Sequence, residues 1–250
     1  MEGKKGGGGK GMESAHARTD TPARHSRRVL ESLARFGVLV NAHQPAPRDT
    51  PDPHPAAARA ILAHADTPHA SIVFLTGPSG SGKSSILRAL RSLLDRSRRE
   101  PITLDAPALA LQRARVADLF AGPIDHMLRA LALAGLSEAR LLALPAHRLS
   151  EGQRWRLALA LALHRASRAP ATPHRPVLLA DEFASTLDRP TAWALSRSLA
   201  RLFTAAHPHA PLLIAASAHD DLAHPDWLNP SLTIRATLDG RAVIEGATRP

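Results

Sequence analysis

The segment Gly77-Pro78-Ser79-Gly80-Ser81-Gly82-Lys83-Ser84, directly after the apolar run Ser71 to Thr76, constrains this chain more than any other feature. Its spacing, G-x-x-x-x-G-K-S, turns backbone N–H groups toward a phosphate, with a lysine for the outer phosphates and a hydroxyl for Mg²⁺. A strand must deliver the chain into such a turn, and a helix must leave it with its positive end aimed at the anion. Lysine usage points the same way. Of 32 basic residues only Lys4, Lys5, Lys10 and Lys83 are lysine, and arginine supplies the rest. Position 83 therefore calls for a primary ammonium on a slim stem, because a planar guanidinium fits poorly inside a loop that wraps a phosphate closely. Gly77, Pro78, Ser79, Gly80, Ser81, Gly82, Lys83, Ser84 and Ser85 are the expected phosphate cradle, with Ser84 also a metal ligand.

Around this turn the pattern alternates. A helix is predicted from Lys83 to about Arg98, then a short strand at Ile102 to Leu104. Residues 106–148 are rich in Ala and Leu, and breaks at Gly122-Pro123, Gly135 and Pro145 predict two or three short helices. A long helix follows from Glu151 to about Ser167, a strand from Val177 to Ala180, and a helix from about Arg189 to Thr204. Leu212 to Ala216 reads as a buried strand. Ser231 to Thr237 and Ala242 to Glu245 flank Asp239-Gly240, a hairpin signal. Apolar strands alternating with helices predict an α/β fold of the P-loop NTPase class, a mainly parallel sheet with helices on both faces. Upstream, residues 1–28 read as a disordered, basic, Gly-rich tail and 29–70 as short helices with a Pro/His-rich linker. Within the latter, Val29 to Val40 is a candidate amphipathic helix, Asn41 to Pro55 a linker without an element, and Ala56 to His64 a helix leading to the first strand.

Composition narrows the class. The chain has no cysteine, which excludes disulfides and thiolate metal sites. Its longest apolar run, Leu157 to Leu163, falls far short of the ~18 residues a membrane helix needs. The basic N-terminus lacks an apolar core, so no secretory signal is expected and the cytoplasm is the expected compartment. A formal charge of +10 attracts polyanions, and the tail is the expected point of non-specific nucleic-acid contact. With tyrosine absent, no platform for stacking bases is evident.

Two further patterns carry chemistry. Val177-Leu178-Leu179-Ala180-Asp181-Glu182 is an apolar strand ending in two carboxylates. The strand sets Asp181 at the sheet edge beside the phosphate loop, where it can hold Mg²⁺. Glu182 is then placed to polarise the water that attacks the terminal phosphate. Ser150 and Gln153 fit the S-x-x-Q capping box, and a helix start with a Ser hydroxyl and the Gly152 N–H also suits a phosphate.

Leu149-Ser150-Glu151-Gly152-Gln153, between the phosphate loop and the acidic strand, resembles the signature motif of ABC ATPases, departing from it at Glu151. The loop and the strand correspond to that family's Walker A and Walker B motifs. Ser185-Thr186-Leu187-Asp188 resembles the D-loop, and His219 occupies the switch-histidine position. The closing hairpin and Glu245-Gly246 resemble the end of the ABC core. The resemblance implies a head-to-tail homodimer around two ATP, with Ser150, Gly152 and Gln153 reaching the partner's γ-phosphate. It makes Asp188 a communicator across the dimer and His219 a contact to the γ-phosphate and attacking water.

The resemblance covers residues 71–246 as an ABC-type ATPase domain, with 105–148 as a reduced helical subdomain. It departs from the family where a linker and helix replace the antiparallel strands ahead of the loop. Gln112 is the candidate Q-loop glutamine and Phe36 a distant candidate for stacking on adenine. The details look more like soluble ABC-type ATPases sometimes joined to an N-acetyltransferase domain, although residues 1–70 are too short and Pro-rich to hold one. The expectation is Mg²⁺-dependent ATP hydrolysis, cleavage of a phosphoric anhydride, by Glu182, His219 and Lys83. The alternatives are the ATP-binding subunit of a membrane transporter, docking through residues 105–148, and an ATP-gated module for nucleic acid or a protein client.

Overall fold

All five residues of the strand Ile72–Thr76 (β1) are buried, and the topology explains why. The computed structural model describes residues 53–67, 70–99, 101–170, 174–204 and 211–245. The predicted tail, the helix at 29–40, most of the linker and Phe36 lie outside them. Among the described residues one sheet has the order β2-β3-β4-β1-β5-β6. The remaining strands are Pro101–Thr103 (β2), Val177–Ala180 (β3), Leu212–Ala216 (β4), Leu232–Ala236 (β5) and Ala242–Glu245 (β6). β1 lies between β4 and β5, and every pairing is parallel except the β5–β6 hairpin. The expected α/β fold of a P-loop NTPase is present.

The helices are Pro53–Ala65 (α1), Lys83–Arg96 (α2), Ala106–Leu109 (α3), Ile124–Leu133 (α4), Ala139–Leu142 (α5), Glu151–Ser167 (α6) and Arg189–Thr204 (α7). Successive strand side chains point to opposite faces, so each central strand feeds two cores. Val73 and Leu75 of β1 pack with Ile86, Leu90 and Leu94 of α2 and with Ala58 and Ile61 of α1. Ile72 and Phe74 pack on the other face with Leu157 and Leu159 of α6 and Leu199 and Phe203 of α7. Each such large apolar side chain contributes roughly 1.5–3 kcal/mol by leaving water.

Three of the boundaries that differ from expectation do so for local reasons. α1 begins at Pro53, inside the stretch read as a linker, because proline is compatible with a helix's first turn. α2 stops at Arg96, where Ser97 Oγ donates to the Leu93 carbonyl at 2.7 Å and Arg98 turns to a φ of +56°. β2 runs Pro101–Thr103, one residue early; as an edge strand it tolerates a leading proline. Residues 106–148 fold as three short helices and two 3₁₀ turns, as predicted in kind. Their ends meet where Val116 N–H donates to Leu144 O at 2.9 Å and Ala146 N–H to Ala114 O at 3.0 Å.

Candidate active site

The loop after β1 bends through left-handed backbone at Gly77 (φ +136°) and Gly82 (φ +90°). Glycine is needed at both. A Cβ on Gly77 would stand 2.1 Å from the Ala236 carbonyl oxygen, and one on Gly82 would stand 2.2 Å from His54 Nε2. Lys83 opens α2 and folds back over the loop, its ammonium donating to Gly77 O at 2.7 Å and Pro78 O at 2.8 Å. Burial pushes its pKa down, while Asp181, Asp220 and Glu182 pull it back up. One ammonium thus lies in the field of three carboxylates.

A cleft of about 410 Å³ collects these groups. Ser79, Gly80, Gly82, Lys83, Ser84 and Ser85 form one wall; Asp181, Glu182, Ser185 and His219 face them. The parallel sheet is the reason: the C-terminal ends of β1, β3 and β4 emerge side by side.

The backbone at the acidic turn is strained. Glu182 sits at φ +48° and Ala184 at φ +55°, and each non-glycine residue held there costs roughly 1–2 kcal/mol. Phe183, buried completely, holds the turn in place: its N–H donates to Ala216 O at 2.7 Å, and its carbonyl accepts from Ser217 Oγ at 3.1 Å. The Trp155 ring meets the Phe183 ring edge-on at 5.3 Å. Asp181 Oδ1 accepts the Glu182 N–H at 3.0 Å. The core therefore projects Glu182 into the cleft.

His219 donates its N–H to Ser217 Oγ at 3.3 Å, and the two carboxylates that follow it are anchored in opposite directions. Asp220 accepts from the Thr76 hydroxyl and from Arg235 at 2.7 Å, and Arg235 is itself paired with Glu245 at 2.8 Å. Burial raises the Asp220 pKa, but the Thr76 hydroxyl, Arg235 and Lys83 outweigh it, and the carboxyl stays below its ordinary value. Asp221 pairs with Arg189 and accepts the Trp193 indole N–H at 2.8 Å. Trp193 in turn stacks on Trp227.

Other predicted residues lie elsewhere. Ser150, Gly152, Gln153 and Asp188 are outside this cleft. Ser150 and Gln153 form the reciprocal capping box of α6, with bonds of 3.2 and 3.0 Å. Gly152 is pressed against the Thr186–Leu187 turn, so a Cβ there would stand 3.2 Å from Thr186 O. Asp188 caps α7 by accepting the Thr191 N–H at 3.0 Å, which holds its pKa low. Gln112 bonds within its own loop, to the Ala114 N–H. Sequence reasoning missed His54, Asp220 and Arg235. Their long-range partners left no local pattern, although Asp220 directly follows His219.

Ser84 and Asp181 supply hard oxygens to the same cleft, while among the described residues no three acidic or imidazole side chains are arranged to hold a metal ion by themselves. That donor set fits Mg²⁺, which takes few protein ligands and completes its shell with phosphate and water.

The fold and the loop together define a P-loop NTPase. The chain belongs to the AAA ATPase domain family, which matches residues 53–215. It is also 33% identical to the cytochrome c biogenesis ATP-binding export protein CcmA of Rhodospirillum rubrum. That likeness runs over 182 residues, 61% of this chain and 70% of CcmA. Family and relative together support ATP binding and hydrolysis by an ABC-like ATPase. Among the described residues no helix is long and apolar enough to cross a membrane.

Proposed function

We propose that this protein is a Mg²⁺-dependent, ABC-type ATPase that closes as a homodimer around two ATP. The convergence of Lys83, Asp181, Glu182 and His219 on one cleft carries this reading. The loop N–H groups and Lys83 bind the β- and γ-phosphates and offset charge developing on the transferred group. Ser84 and Asp181 would hold Mg²⁺, which neutralises phosphate charge when bound. Glu182 takes the proton of the attacking water, and His219 orients that water and the γ-phosphate. Ser150, Gly152 and Gln153 lie outside their own chain's cleft, and this supports their serving a partner's ATP. Asp188, rigid as a helix cap, would sit at the same dimer interface.

The Glu182→Gln variant tests this. ATP binding is retained, turnover falls by roughly 10²–10³-fold, and an ATP-dependent dimer accumulates on a sizing column. A variant that binds ATP yet stays monomeric sinks the two-ATP dimer.

A second reading, the ATP-binding subunit of a membrane exporter, draws on the likeness to CcmA and on exposed apolar side chains in residues 105–148. Leu111, Ile124 and Leu128 are exposed there, the last two one turn apart on α4. Copurification with a membrane partner that is lost on Ile124→Ser/Leu128→Ser favours this reading.

A further inference from the structure

Six of the arginines come together in one place. A cleft of about 850 Å³ lies along the edge strand β2 and the N-terminal end of β3, away from the phosphate loop. Arg91, Arg98, Arg99, Arg165, Arg168 and Arg175 line it, and Asp105 is the one carboxylate among its described lining residues. Glu100 lies outside the described residues.

Two of the six arginines have structural partners. Arg99 pairs with Asp66 at 2.6 Å, and Arg175 donates to the carbonyls of Thr67, Ala65 and Ala70. Arg91, Arg98, Arg165 and Arg168 make no side-chain ion pair among the described residues.

A second observation is independent of charge. His164 lines the cleft yet is only 4% exposed. Its Nε2 donates to the Ala121 carbonyl at 2.8 Å, while Nδ1 is buried without a partner. Arg99 Nε is likewise buried and unsatisfied. Native proteins seldom leave a donor such as the Arg99 Nε–H unmatched, and beside a basic cleft it points to an acceptor that is not part of the chain, whereas His164 Nδ1, with the ring proton on Nε2, is itself an acceptor.

We propose that this cleft is a second anion site, for a small ligand carrying clustered phosphates, either inorganic or organic polyphosphate. Forked guanidinium donors match phosphate oxygens in pairs, and six of them against one carboxylate favour a ligand of dense charge. The volume suits a nucleotide-sized molecule. Ile102, Leu161 and Pro176 add an apolar wall, while none of the described lining residues is a Phe or Trp to stack bases. The assignment does not depend on the ATPase reading.

Calorimetric titration of the full-length Lys83→Ala protein with inorganic tripolyphosphate, at fixed ionic strength, isolates this site from the phosphate loop. Binding should persist there and weaken at least about tenfold when Arg165→Ala/Arg168→Ala is added. Both arginines are exposed, so the melting temperature should hold; Arg91→Ala, on another helix, gives a second variant. Absence of binding in Lys83→Ala, or binding indifferent to all three arginines, overturns the proposal. Citrate binding as tightly as tripolyphosphate overturns the preference for phosphate. Capture of a single-stranded oligonucleotide but not tripolyphosphate, through the same arginines, overturns it in favour of a nucleic-acid surface.

Discussion

One sheet carries two clefts of opposite electrical character, and each uses a different cation. At the C-terminal ends of β1, β3 and β4 a single lysine stands among three carboxylates. Along β2, the described lining residues include six arginines and one carboxylate. Both suit phosphate, so charge alone does not choose the residue. The first cleft is a backbone cradle in which Lys83 folds against two loop carbonyls, leaving space for a narrow stem only. The second is an open groove walled by helices, where a wide donor fork is an advantage.

Exchanging the cations is the strongest way to break that contrast. Lys83→Arg keeps the charge and should still cut ATP hydrolysis by about 10²–10³-fold, read as phosphate release. Arg165→Lys, in the groove, keeps the charge but loses the fork and should weaken tripolyphosphate binding by several-fold, far less than the loss at Lys83. A Lys83→Arg enzyme retaining half its rate would end the argument from stem width.

Glycines sharpen the picture of the cradle. Gly77→Ala forces a Cβ to 2.1 Å from a backbone oxygen, and thermal unfolding should show a loss of about 1–3 kcal/mol together with lost nucleotide binding. Gly80 also has positive φ but nothing within 4 Å of its would-be Cβ. Gly80→Ala should cost only backbone strain, about 1 kcal/mol. Equal damage from both would mean that contact with Ala236 is not what Gly77 avoids.

Smaller effects separate structural from chemical roles. Ser150→Ala removes a cap worth about 1 kcal/mol, a fall of about 2–4 °C in melting temperature. If turnover drops far more than that loss explains, Ser150 acts on nucleotide as well. Asp66→Asn frees Arg99 from its surface pair and should tighten tripolyphosphate binding by a few-fold at most. Unchanged affinity would place Arg99 outside the groove's working set.

How legible each region was in the sequence follows the same divide. α6, β3, α7 and β4 lie where the pattern predicts them, because Ser150 and Asp188 cap their helices and the strands are uninterrupted apolar runs. The loop from Gly77 to Ser85 is likewise legible, being contiguous. The arginine groove was not. Its members come from two distant stretches, 91–99 and 165–175, and in a chain so rich in arginine neither stretch stands out. Only the fold brings α2, β2 and α6 together. The anchoring of Asp220, next to His219, escaped for the same reason, since Thr76, Asp220 and Arg235 meet only once β1 and β5 pair.

α1 has a practical corollary. Its Ala57, Ala58 and Ile61 complete one hydrophobic layer over the sheet, and its His54 rests against Gly82. A shortened protein starting at residue 71 would keep the whole phosphate loop and still bare the apolar side of α2. Such a fragment should come out of cells as aggregate, while one starting just ahead of Pro53 should stay in the supernatant.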